Sequence, residues 1–248
     1  MKRWFGVLIL LAVLLAGAES APLSTMAQSP AVRDETPRVG VIVSYAEGLE
    51  PWLRIMRIDG DGDGPKEDVF TDGSGVVYVG QLYGYPAVLT EAGPGSSAAL
   101  LGGYNIELLL FSDIVSAKEG YDAGTILLPT GVVMAEKYAN ADPYLLGLAM
   151  QVAKEGILMQ CPTSYWATEG RGCLATRPKV ALVGGIRNEK VAIDGLGWAA
   201  GRIPFLAVSA VAVSSDSILL AGLNSHGILS NTLRRMNRSQ VLGTSLVP

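Results

Sequence analysis

The glycine-rich stretch Gly93-Pro94-Gly95-Ser96-Ser97 is the part of this chain best suited to hold a ligand. Two apolar runs precede it, Val76 to Val79 and Pro86 to Leu89, with turn residues Tyr83-Gly84 between them. The helix formers Ala98-Ala99-Leu100-Leu101 follow. This order predicts strand, tight turn, strand, glycine loop, helix. A glycine loop feeding a helix N-terminus leaves backbone N–H groups unpaired and aims the positive end of the helix dipole at one spot. An anion or a row of sugar hydroxyls suits that spot. A serine-capped turn without a ligand fits the same residues, because short glycine patterns recur without function.

Three other groups have chemical potential. Asp59-Gly60-Asp61-Gly62-Asp63-Gly64 matches the first half of a calcium loop, with carboxylates at alternate positions and a glycine for the sharp turn. Its twelfth position is Phe70 where a bidentate glutamate is needed, and no helix is predicted beside it. An acidic hairpin tip is therefore the simpler reading, with a calcium-responsive module as the distant one. Cys161 and Cys173 are the two cysteines, and His226 is the single histidine. That set matches no zinc spacing, so no metal site is assigned. His226 falls in a glycine-interrupted helical stretch and reads as a surface or core residue. Trp52, Trp166 and Trp198 read as packing residues that could also stack on a base.

The elements that must position these groups can be read from pattern. Lys2-Arg3, an apolar run from Phe5 to Ala16 and Ala18-Glu19-Ser20 make residues 1–20 a signal peptide, and the apolar run is short for a membrane span. Residues 21–37, rich in Ser, Pro and Ala, read as a linker, and 38–248 as one domain. The expected location is secreted or periplasmic. An oxidising compartment makes a Cys161–Cys173 disulfide the natural reading of the even pair, with two buried free thiols as the alternative. A net charge of −4 without a basic stripe argues against nucleic acid as a partner. Strands are predicted at 39–45, 76–80, 87–91, 126–129, 180–184 and 205–213, several as continuous apolar runs buried on both faces. Helices are predicted at 97–110, 143–155 and 217–236, the second opened by the Asp142-Pro143 cap and carrying a stripe of Tyr144, Leu145, Leu148, Ala149 and Val152. The alternation gives an α/β fold around a parallel or mixed sheet.

The order of these pieces resembles the nucleoside phosphorylase and nucleosidase superfamily, in particular methylthioadenosine/S-adenosylhomocysteine nucleosidases and the secreted bark-storage proteins of plants. Arg38 to Glu47 (RVGVIVSYAE) looks like the family's opening strand, and Tyr78-Val79-Gly80-Gln81-Leu82-Tyr83-Gly84 like its hairpin. Gly93-Pro94-Gly95 looks like its glycine loop and Gly124 to Pro129 like its "GDIVV" strand. Lys179 to Gly185 is similar to "GLIVSGD" and Ile203 to Val208 to "VPFVVVR". Ser215-Asp216 matches the "SD" that follows. The resemblance runs collinearly from Arg38 to Arg235.

It implies a three-layer α/β domain with a central mixed sheet flanked by helices, and cleavage of an N-glycosidic bond in a purine nucleoside. That reaction needs an acid for the leaving base, a carboxylate to position water and a carboxylate for the ribose hydroxyls. The resemblance assigns the acid to Asp216, although Ser214, Ser215 and Asp216 all suit a helix N-cap. It assigns the water to Glu47, one residue before the aligned position. Gly93, Gly95, Ser96 and Ser97 would contact the substrate, and Asp194 would stand in for the ribose carboxylate. The family's "EME" motif and its central "TGSAGG" segment have no counterpart, which leaves open a nucleoside-binding or storage-type relative without catalysis. No arginine lies in the glycine loop, so hydrolysis is favoured over phosphorolysis. The resemblance implies no cofactor, a small-molecule nucleoside as partner, no membrane partner beyond the signal segment, and a homo-oligomer. A cysteine pair is similarly placed in the plant storage proteins.

Overall fold

A computed structural model describes residues 34–59, 66–69, 76–93, 96–116, 120–134, 137–157, 177–185 and 202–236. Ten strands are found among them: β1 (Asp34–Val43), β2 (Lys66–Val69), β3 (Val76–Leu82), β4 (Tyr85–Glu91), β5 (Tyr104–Ser116), β6 (Ile126–Pro129), β7 (Gly131–Met134), β8 (Lys137–Asn140), β9 (Val180–Val183) and β10 (Phe205–Ala212). Four α-helices accompany them: α1 (Leu49–Asp59), α2 (Ser96–Gly103), α3 (Pro143–Glu155) and α4 (Ser215–Arg235). Eight strands form one mixed sheet in the order β2-β3-β4-β1-β5-β10-β6-β9, and β7 pairs with β8 as a separate hairpin. The four inner strands β4, β1, β5 and β10 are mutually parallel, so their carboxyl ends share one edge.

The sequence explains the inner strands. Val39, Val41, Ile42 and Val43 of β1 are all buried, and every residue of β10 is buried. Strands covered on both faces need apolar residues at successive positions rather than alternate ones. On one face α1, α3 and α4 pack over Val41, Leu110 and Leu206, with Trp52, Leu145 and Leu229 filling the layer. On the other face α2 and the β7–β8 hairpin pack over Ile42, Phe111 and Phe205, with Leu100 and Val132. The result is the three-layer α/β arrangement expected.

Local signals hold where they rest on capping chemistry. Asp142 caps α3, its Oδ1 accepting from the Leu145 N–H at 2.9 Å, and Pro143 opens the helix. Tyr83 and Gly84 both have positive φ, the handedness that a two-residue hairpin between β3 and β4 demands.

Four expectations change. The helix predicted over 97–110 ends at Gly103, and Tyr104–Ser116 is instead the central strand β5. Paired glycines at 102 and 103 stop the helix, and Ile106 to Phe111 then pairs with β1 and β10. Strand β1 starts at Asp34, inside the stretch read as linker, because Asp34 pairs with Tyr104. Helix α1 runs up to Asp59, directly before the acidic glycine-rich loop, where no flanking helix was expected. Tyr144 is 45% exposed, and the buried stripe of α3 is Leu145, Ala149, Val152 and Ala153.

Candidate active site at the carboxyl edge of the sheet

In open α/β sheets, ligands bind beyond the carboxyl ends of the parallel strands. Here that edge is where the apolar runs give way to polar side chains. Strand β1 ends in Val43 and continues as Ser44-Tyr45, and β5 carries Ser112-Asp113 in the adjoining positions. Strand β10 carries Ser209 in register with Asp113.

Two hydrogen-bonded groups form there, one on each face of the sheet. On the α2 face, Ser44 Oγ donates to Asp113 Oδ1, the Ile114 N–H donates to the same oxygen at 2.9 Å and also approaches Ser44 Oγ at 3.4 Å. Asp113 is only 2% exposed, so these donors stand in for the water its carboxylate lost on folding. On the α4 face, Ser112 and Ser225 hydroxyls lie 2.8 Å apart, Ser225 Oγ donates to the Val208 carbonyl at 3.1 Å, and Tyr45 Oη lies 3.5 Å from Ser112 Oγ. Burial pushes the Tyr45 phenol up to about 12, opposed in part by its contact with Ser112, so the phenol stays protonated.

Tyr45 fits because two glycines leave room. A Cβ at Gly48 would fall 2.5 Å from the Tyr45 ring, and one at Gly222 of α4 would fall 2.9 Å from its hydroxyl. Gly227 similarly admits Ile157, whose Cγ2 would be 2.3 Å from a Cβ at that position. The glycines of α4 are thus close-approach points, a purpose that outweighs their helix cost.

Of the sequence-derived candidates, Glu47, Gly93, Ser96, Ser97 and Asp216 lie among the described residues. Glu47 sits in the single 3₁₀ turn Ala46–Gly48 that follows β1, and is exposed. Gly93 lies just beyond β4, where the Ala92 N–H donates to the Val43 carbonyl at 2.6 Å. Ser96 opens α2, and Ser97 in its first turn is buried. Asp216 is the second residue of α4. The N-cap of that helix is Ser214, which forms a reciprocal capping box with Ser217, so Asp216 is not the cap. Gly95, Asp194, Cys161, Cys173, Trp166 and Trp198 lie outside the described residues, as does the acidic loop beyond Asp59.

Comparison with solved structures recovers one architecture. The Campylobacter jejuni 5'-methylthioadenosine/S-adenosylhomocysteine nucleosidase is 11% identical and aligns over 80% of this chain and 99% of its own, with a TM-score of 0.58. The Streptococcus pneumoniae MTA/SAH nucleosidase, solved in complex with 8-aminoadenine, is 14% identical over 80% of this chain and all of its own (100%), also at 0.58. A Helicobacter pylori futalosine hydrolase mutant gives 11% identity, 81% and 100% coverage, and 0.56. This chain has the nucleosidase fold. No family model matches the sequence, and no curated protein matches it. The likeness is thus one of topology, at 11–14% identity.

Within that fold, sequence reasoning missed Ser44, Tyr45, Asp113, Ser112 and Ser225. The usable signal was the apolar run Leu108 to Phe111 ending abruptly in Ser112-Asp113, a buried strand delivering polar groups to a sheet edge. His226 proves to be a core residue, 7% exposed, with its ring edge-on to Trp52 at 4.5 Å. Trp52 is fully buried there, in the packing role expected. Among the described residues no group of carboxylates, histidines or cysteines could hold a metal ion, and no helix is long and apolar enough to cross a membrane.

Proposed function

We propose that this chain hydrolyses the N-glycosidic bond of a purine nucleoside. The observation that carries the reading is the placement of two carboxylate residues just after the carboxyl ends of parallel strands of one sheet. Glu47 lies four residues past the end of β1 (43 to 47), and Asp216 four past the end of β10 (212 to 216). Only β5 separates those strands, and β10 runs on past β1: Val43 and Val208 are both level with Ser112, while Ala212 is level with Ser116. Asp216 gives its proton to the base as the C1′–N bond breaks. Glu47 orients the water whose oxygen bonds to C1′ and takes up its proton. The N-terminus of α2, reached through Gly93, faces the same edge and offers N–H donors to the sugar. The basic-then-apolar stretch of residues 1–20 supports export of the protein.

The experiment is free-base release from adenosine, inosine, methylthioadenosine and S-adenosylhomocysteine, with and without phosphate. Release without phosphate is expected, with Asp216→Asn and Glu47→Gln each lowering kcat by roughly 10²–10⁴-fold. Release only with phosphate would replace hydrolysis by phosphorolysis.

A second reading, a nucleoside-binding protein without catalysis, is favoured by one feature. Tyr45 fills the slot between Gly48 and Gly222, so the edge is partly occupied by the protein itself. It predicts a rise in melting temperature with nucleoside and no base release from any of the four compounds.

A further inference from the structure

We propose that Ser44, Asp113 and Tyr45 form a two-faced clamp whose task is to aim Glu47, making Asp113 a positioning residue for the hydrolysis above; the assignment rests on that reading of Glu47. Consecutive residues leaving β1 are tied to consecutive residues of β5 from opposite sides of the sheet. Ser44 donates its hydroxyl to Asp113 on the α2 face, while its backbone N–H donates to the Ser112 carbonyl at 2.9 Å. Tyr45 turns to the α4 face, where its hydroxyl meets Ser112 Oγ and its ring lies between Gly48 and Gly222. The 3₁₀ turn carrying Glu47 begins at the next residue and closes through the Gly48 N–H donating to the Tyr45 carbonyl at 3.0 Å. Glu47 is itself exposed, so what fixes its backbone lies in Ser44 and Tyr45, the two residues before its turn.

The chemistry of the clamp explains why a buried carboxylate is kept at position 113. A charged acceptor binds a hydroxyl roughly twice as strongly as a neutral one. Asp113 sits on the central strand β5, one residue past the last one paired with β1 and in register with Ser209 of β10, and is therefore anchored to the sheet. A serine on the neighbouring strand that bonds to such an anchor loses its freedom, and so does the turn that follows. Asp113 is too buried to touch substrate, so its effect on the reaction passes through Ser44. An error of about 1 Å in a catalytic group costs on the order of 10²-fold in rate, which sets the scale of the effect.

The test compares Ser44→Ala, Ser44→Thr and Asp113→Asn by steady-state kinetics and by amide hydrogen exchange. Ser44→Ala is expected to lower kcat by roughly 10–10²-fold with KM within about twofold, and Ser44→Thr, which keeps the hydroxyl, to restore most of it. Exchange at residues 45–49 should quicken at least about tenfold in Ser44→Ala while β5 and β10 stay protected. Asp113→Asn should do the same, more weakly, because its amide oxygen still accepts a hydrogen bond. If no variant, wild type included, releases base, the hydrolase reading falls, and local exchange alone decides the clamp. Unchanged exchange at 45–49 in Ser44→Ala overturns it. Equal acceleration in β5 and β10 also overturns it, by making Ser44 a general stability residue. A parallel rise in KM with unchanged kcat would remove the aiming role.

Discussion

Two levels of the same three strands, a few residues apart, make opposite demands on sequence. At one level of β1, β5 and β10, Val41, Leu110 and Leu206 stand in register, are fully buried and contribute only apolar surface. A few residues further, Ser112, Asp113 and Ser209 bring hydroxyls and a carboxylate into positions nearly as buried, with Ser44 half-buried beside them. The first region holds the sheet together by excluding water. The second tolerates polar groups because most find a partner: Ser112 with Ser225, Asp113 with Ser44 and the Ile114 N–H. Ser209 Oγ is an exception, buried without a hydrogen-bond partner. The difference teaches that burial alone does not mark a structural residue here; a buried polar group beyond the end of an apolar run marks the edge where chemistry is done.

Helix α4 draws the same boundary within two residues. Ser225 belongs to the polar end, bonded to Ser112 and the Val208 carbonyl. His226, its neighbour, points into the apolar layer against Trp52, with Nδ1 buried and unpartnered. Burial pushes its pKa down from 6.5 to about 3, so the ring is neutral in the folded protein at all but strongly acid pH.

The comparison can be broken in order of expected effect. Truncating the apolar level, by Leu110→Ala, should cost about 2–5 kcal/mol of stability in urea unfolding; a loss under 1 kcal/mol would mean the apolar level is not the source of stability. Acid titration comes next. His226 has a folded pKa below its unfolded one, so the unfolded chain binds the extra proton. Its contribution to stability is complete above about pH 6.5 and is lost as pH falls toward about 3. The slope is about 1.4 kcal/mol per pH unit inside that window. His226→Leu should flatten it, and a wild-type curve already flat between pH 6 and 4 would place the ring in water. The smallest effect belongs to the polar end. Ser112→Ala should cost only about 1 kcal/mol, since Ser225 keeps its bond to the Val208 carbonyl. A cost as large as that of Leu110→Ala would erase the distinction between the two regions.

The legible part of the fold was the part encoded locally. The α3 cap, the Tyr83-Gly84 turn and the apolar strands at 76–80, 87–91, 126–129 and 205–213 are each specified by neighbours in the chain. The illegible part was β5. Ala98 to Leu101 and Leu108 to Phe111 are both apolar, and periodicity does not separate a buried helix from a buried strand over such lengths. Reading 97–110 as one helix hid the central strand, and with it Ser112 and Asp113 at its end. Glycines 222 and 227 looked like flaws in α4 for the same reason, because Tyr45 and Ile157, which need the space, come from distant parts of the chain.

By itself, then, the sequence determined the alternation of strands and helices, the caps and turns between them, and the acidic residues placed just beyond β1 and β10. These follow from propensity, hydrogen-bonding capacity and period, all of which act over a few residues. Only the tertiary structure decided that β5 lies between β1 and β10, that Ser44 meets Asp113 across 69 positions of chain, and that Ser112 meets Ser225 across 113. Such contacts arise when distant apolar runs are buried against one another, and the polar residues at their ends are then carried into reach.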